Sequence, residues 1–170
     1  ALSVVDGSSD DDFDGVADQT VSVTTTDSDV AGFTVIESGG TTTVAEDGST
    51  TDDFTVVLDA QPISDVVISV TSSDTGEATV SPATLTFTSG NWDSSQTVTV
   101  TGVDDSIIDG SQISTINIAV EDESSNDSFD SLSDQTVSVS TADDDTAGFT
   151  ITQTDGSSSV TEGGLSLIHI

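Results

Sequence analysis

Three consecutive aspartates, Asp143-Asp144-Asp145, precede Thr146-Ala147-Gly148-Phe149-Thr150, and a thinner copy, Asp27-Ser28-Asp29, precedes Val30-Ala31-Gly32-Phe33-Thr34. Carboxylates crowded this closely repel one another, and only protonation, solvent or a cation relieves the repulsion. The chain has no basic side chain to offer: it holds no lysine or arginine against 32 aspartates and glutamates, a formal net charge of −32. Hard-cation binding is the chemistry that oxygen-only clusters suit, and calcium fits best because it takes roughly six to eight oxygen ligands in irregular geometry. Further carboxylates stand where strands are expected to end, at Glu46, Glu77, Asp104, Asp105 and Asp109. In a sandwich, loops from alternate strand ends converge at one pole, where these groups could join Asp143, Asp144 and Asp145. Asp27 and Asp29 would serve the same seam one repeat earlier. The competing reading is that acidic loops merely keep the chain solvated.

A further acidic stretch, Asp10-Asp11-Asp12-Phe13-Asp14-Gly15, has the D-x-D-x-D-G opening of an EF-hand loop, with Asp10, Asp12 and Asp14 as its ligand positions. Counting on, position 12 of the loop falls on Val21 where a bidentate glutamate is required, and no helical period flanks it. A solvated hairpin loop is therefore expected there, with a weak local ion site as the alternative.

Other chemistries are excluded by inventory. The chain has no cysteine, and its one histidine lies in an atypical tail, so no nucleophile–base pair can be assembled from it. Paired acid/base carboxylates would need an aromatic-lined cleft, and one Trp, six Phe and no Tyr do not build one. The chain is read as no enzyme. Nucleic acid and anionic membrane surfaces both demand cations that are missing. No apolar run approaches the roughly 20 residues of a membrane span, and no signal peptide is evident. High charge can also mean disorder. Against that, 32% of residues are hydrophobic, mostly β-branched and placed in alternation, so a folded chain is expected.

The positioning elements emerge from self-comparison. An offset of 116 residues, without gaps, places Leu2-Ser3-Val4 on Ile118-Ala119-Val120, Asp18 to Val23 on Asp134 to Val139, Ala31-Gly32-Phe33-Thr34 on Ala147-Gly148-Phe149-Thr150, and Glu46 on Glu162. The expected organisation is the last two strands of one repeat (1–30), one complete repeat (31–146) and the first strand of the next (147–164). Ala1 would lie inside a strand, so the true N-terminus is expected elsewhere. Within the complete repeat, apolar residues alternate with Thr and Ser. Phe33, Val35 and Thr41 to Val44 form a first strand, whole or broken. Phe54-Leu58, Val66-Val70, Leu85-Phe87, Val98-Val100, Ile116-Val120 and Val137-Val139 follow, separated by Gly, Pro, Asn and Asp turn signals. About seven strands in one such repeat predict an all-β, immunoglobulin-like antiparallel sandwich. Residues 165–170, Leu-Ser-Leu-Ile-His-Ile, break the pattern and resemble the translation of a sequencing-library adaptor; they are read as a non-native tail.

Val44-Ala45-Glu46-Asp47-Gly48, Leu85-Thr86-Phe87, Val98-Thr99-Val100 leading to Asp104-Asp105 and Asp109, and Asp143-Asp144-Asp145 together resemble the Calx-beta domain. Val80-Ser81-Pro82-Ala83-Thr84-Leu85-Thr86-Phe87-Thr88 with Asn91-Trp92 is similar to the Calx-beta-like repeats of very large bacterial surface adhesins. The resemblance implies a sandwich with calcium at one pole, held by Glu46, Asp104, Asp105, Asp109 and Asp143 to Asp145. Asp109 stands where the family usually has glutamate, and Glu77 matches loosely. The implied role is a structural extender or filament-forming stalk of an extracellular or cell-surface protein in adhesion, biofilm or matrix. Its partners would be neighbouring repeats or other copies in a filament. The alternative is a calcium-dependent carbohydrate- or surface-binding module, for which Trp92 is the one large aromatic available.

Overall fold

The computed structural model describes residues 2, 3, 5, 8, 10–13 and 15–153. The chain divides into two compact units, residues 1–30 and 31–170.

Among the described residues of the larger unit, period-2 alternation of β-branched residues gives nine strands: β1 (Phe33–Glu37), β2 (Thr42–Ala45), β3 (Thr51–Leu58), β4 (Val66–Ser72), β5 (Ala78–Ser81), β6 (Thr84–Phe87), β7 (Gln96–Gly102), β8 (Gln112–Val120) and β9 (Gln135–Ala142). They form a four-stranded sheet, β1-β3-β7-β5, and a five-stranded sheet, β2-β9-β8-β4-β6. Phe33, Phe54, Val56, Leu58, Val98 and Val100 from the first sheet meet Val66, Ile68, Leu85, Phe87, Ile116, Ile118, Val137 and Val139 from the second in one core. Burying such side chains from both inner faces is what holds two twisted sheets together. Phe129, in the β8–β9 connection, is 2% exposed and joins the same core. The fold is an all-β, immunoglobulin-like sandwich.

The structure decides one alternative that the sequence left open and adds one strand that it did not announce. The first strand is broken: Gly39 and Gly40 take φ of 66° and 82°, which sends β1 into one sheet and β2 into the other. Asp52 ties this crossover down by accepting from Ser38 Oγ at 2.6 Å and from the Thr43 amide at 2.9 Å. Because β2 has crossed over, it runs parallel to β9, whereas the other named strand pairs are antiparallel. The departure is β5, whose only strong apolar signals are Ala78 and Val80; Glu77 ends the turn just before it.

In the smaller unit the described residues form one bridge, Leu2 with Gln19, and a 3₁₀ turn at Asp11–Phe13, where two strands were expected. By the 116-residue offset these residues align with the end of β8 and with β9, which β4 and β2 flank in the larger unit. Residues 1–30 contain no copy of those flanking strands. Residues 143–153 form no strand. The rest of the expected following strand, and the expected tail at 165–170, lie outside the described residues.

Candidate metal centre

One pole of the sandwich is built from the β2–β3, β4–β5 and β7–β8 connections and the end of β9. Strand phase puts Glu46 at its centre. Thr42 and Val44 point into the core, and continuing the period of two turns Glu46 inward as well, so it is 2% exposed. Its amide donates to the Ala142 carbonyl at 3.0 Å, locking the end of β2 to the end of β9. Close sheet approach permits this: a Cβ on Gly102 would lie 1.9 Å from the Ala45 carbonyl oxygen, so only glycine fits at the end of β7.

Around Glu46, carboxylate oxygens gather in two groups, each with all members within 4.8 Å of one another: Glu46, Asp109 and Asp143 in one, Glu46, Glu77 and Asp105 in the other. Glu46 Oε2 and Glu77 Oε2 are buried and find no hydrogen-bond partner among the described residues. The electrostatic consequence is a Glu46 pKa pushed up from 4.5 to about 7. Burial is the first cause, followed by the carboxyl–carboxyl contact with Glu77 and repulsion from Glu77, Asp105 and Asp109. Burial also raises Glu77, with Asp109, Asp74 and Asp105 adding repulsion.

Asp143 behaves oppositely. Its Oδ2 accepts from the Gly110 amide at 2.7 Å and its Oδ1 from the Asp145 amide at 2.8 Å, and these donors hold it below the usual carboxylate range. Burial raises Asp145, with repulsion from Asp143, Asp144, Asp105 and Asp104. Asp105 Oδ1 accepts from the Ile107 amide at 2.6 Å, which shapes the β7–β8 loop.

Of the sequence candidates, the structure thus brings Glu46, Glu77, Asp105, Asp109 and Asp143 together. Asp104, Asp144 and Asp145 belong to neither group; Asp104 and Asp144 are exposed and Asp145 is half-buried. Asp27 and Asp29 are exposed in the smaller unit and repeat the Asp143–Asp145 turn, the Asp29 amide donating to Asp27 Oδ1 at 3.0 Å. Asp10 and Asp12 are also exposed and make the same local turn at 3.0 Å. Asp14 lies outside the described residues. The burial of Glu46 was not foreseen, yet the phase of Thr42 and Val44 signals it.

A buried carboxylate with an unpartnered oxygen, ringed by four more and with no Lys or Arg anywhere in the chain, matches the donor set of a hard cation. Two other sequence features are settled by burial. Asn126, within the sequon Asn126-Asp127-Ser128, is 4% exposed and its Nδ2 donates to Ser64 Oγ at 3.0 Å, so it is not presented for glycosylation. Trp92 packs partly buried against the core.

No family model matches the chain, and no curated protein matches it. Solved structures with a similar arrangement include domains 1–6 of the surface layer protein SbsC (24% identity, 74% of this chain, 15% of that chain, TM-score 0.44). The apo-form Calx CBD1 domain is another (15% identity, 66% of this chain, 98% of that chain, TM-score 0.42). A third is the Escherichia coli chaperone DraB (9% identity, 71% of this chain, 58% of that chain, TM-score 0.44). This chain therefore spans just over half the length of the chaperone and a small part of the surface-layer chain. These likenesses concern the fold.

Proposed function

We propose that residues 31–146 are a calcium-stabilised, Calx-beta-like repeat that acts as a stiff extender in a longer extracellular or cell-surface protein. Neighbouring repeats would be its first partners. The observation that carries this reading is Glu46: a carboxylate placed by strand phase on the core face, with one oxygen unpartnered and four carboxylates around it. Calcium would lie between Glu46, Asp109 and Asp143 and between Glu46, Glu77 and Asp105, with Glu46 common to both positions. Asp104, Asp144 and Asp145 would stand at the rim. Asp27 and Asp29 would belong to the same seam in the preceding repeat. The smaller unit's Asp10 and Asp12 offer at most a weak local site.

Binding of this kind in extracellular modules falls at about 10⁻⁴ to 10⁻³ M. At a hundredfold excess over its dissociation constant, each ion adds about 2.7 kcal/mol of stability. A domain's entire stability is about 5–15 kcal/mol, so each ion would be a sizeable share of it. The test is thermal unfolding of the 170-residue chain in calcium and in chelator. Calcium should raise the midpoint by on the order of 10 °C. Superimposable melts overturn the proposal.

A further inference from the structure

We infer that Asp109-Gly110 is a site of spontaneous aspartate isomerisation that, once converted, disables half of the acidic pole. The inference rests on the calcium reading only for its dependence on the ion.

An aspartate followed by glycine is the sequence in which the next amide nitrogen most readily reaches the side-chain carboxyl, because glycine has no Cβ to obstruct it. Two such pairs border this pole, Asp47-Gly48 and Asp109-Gly110, and both glycines take positive φ, 64° and 75°. Their aspartates are held very differently. The Asp47 carboxylate accepts from the Ser49 amide at 2.8 Å, the Thr50 amide at 2.6 Å and Thr50 Oγ1 at 2.5 Å, and these three donors restrain its rotation. The Asp109 side chain is exposed, and no described residue donates to its carboxylate. What would fix it is a cation shared with Glu46 and Asp143.

The chemistry needs no reagent other than water. The Gly110 nitrogen attacks Asp109 Cγ, a C–N bond forms, and the carboxyl oxygen leaves as water carrying the amide proton and one from solvent. The product is a five-membered succinimide. Hydrolysis at its α-carbonyl returns one water and leaves the chain running through Cγ, with the former α-carboxyl as the new side group. The net change is an isomerisation with no change in mass. It adds a backbone carbon to the β7–β8 loop and shortens the carboxylate's reach. The group of Glu46, Asp109 and Asp143 is broken, while that of Glu46, Glu77 and Asp105 keeps all its members. Gly110, whose amide anchors Asp143, is displaced with it.

The experiment ages the whole chain at neutral pH in calcium and in chelator, then maps isoaspartate by enzymatic methyl labelling of peptides. Label should accumulate at residue 109 in chelator at least several-fold faster than at residue 47, and calcium should suppress it. Aged protein should lose part of its calcium-dependent rise in melting temperature. Asp109→Glu, which disfavours the cyclisation but keeps a carboxylate, should remove the label at that position. Equal or slower labelling at residue 109 than at residue 47 in chelator overturns the inference. Fast labelling at residue 109 that calcium leaves unchanged upholds the isomerisation and overturns calcium binding by Asp109.

Discussion

Glu46 carries the sharpest chemistry at the scale of a single residue. Its folded pKa, about 7, lies above its ordinary 4.5, so the folded state binds that proton more tightly than the unfolded state does. Stability without calcium therefore increases on acidification from about pH 7 towards about pH 4.5, and is lost as the pH rises through about 7. Asp47 works in the other direction and in another window. Its hydrogen bonds from Thr50 and Ser49 lower it to about 2, so its contribution disappears only as the pH falls below its ordinary 3.8. In chelator, the urea midpoint should accordingly be higher at about pH 5 than at about pH 7.5. Calcium should flatten or reverse that slope, because protons and the cation compete for the same oxygens. Glu46→Gln should remove most of the slope and most of the calcium response together. Loss of one without the other would separate the titrating group from the ligand.

Among elements, the approach of β2 to β7 decides whether the pole exists. Gly102 meets the Ala45 backbone, which cannot swing aside like a side chain. Gly102→Ala should cost at least the 1–3 kcal/mol typical of overpacking. It should also weaken the calcium-induced shift in melting temperature, since Ala45 immediately precedes Glu46; both are read from denaturant titrations with and without calcium. A normal calcium shift in this variant would mean that Glu46 is not positioned by that contact. Phe129→Ala, at the other end of the core, should cost about 3–5 kcal/mol while leaving the calcium shift intact. The sequence made the strong strands legible because Phe54-Val56-Leu58 and Ile116-Ile118-Val120 carry a period that only a half-buried strand satisfies. It did not reveal β5, whose edge position asks for only two small apolar residues. Nor could it show that Gly39-Gly40 moves β2 to the other sheet, because crossover depends on which neighbour is free. At the site, residue types pointed to clustered carboxylates. Which five carboxylates meet follows from loop geometry that no local pattern encodes. The inward phase of Glu46 was readable from Thr42 and Val44.

Over the whole molecule, a net charge of −32 with no compensating Lys or Arg makes compaction costly, and monovalent salt relieves it only through screening over about 10 Å at 0.1 M. Sodium chloride should thus stabilise the calcium-free chain gradually, whereas millimolar calcium should act at ionic strengths where sodium has little effect. The same scale exposes what the 116-residue offset implies. Val137 and Val139 are 1% and 0% exposed, but their copies Val21 and Val23 are 73% and 80% exposed. Phe33 is 5% exposed and its copy Phe149 88%. Identical apolar types thus stand in water at Val21, Val23 and Phe149 and are buried at their aligned positions in the sandwich. If residues 1–30 are the end of a preceding sandwich, fusing a copy of residues 31–116 ahead of Ala1 supplies the missing strands. The amides of Val21 and Val23 should then pass from rapid to strongly protected hydrogen exchange, and calcium should further slow their opening. The added sandwich should contribute a second unfolding transition of comparable enthalpy. Continued rapid exchange at Val21 and Val23 in the fused chain would show that the offset reflects shared strand composition and not a repeat boundary.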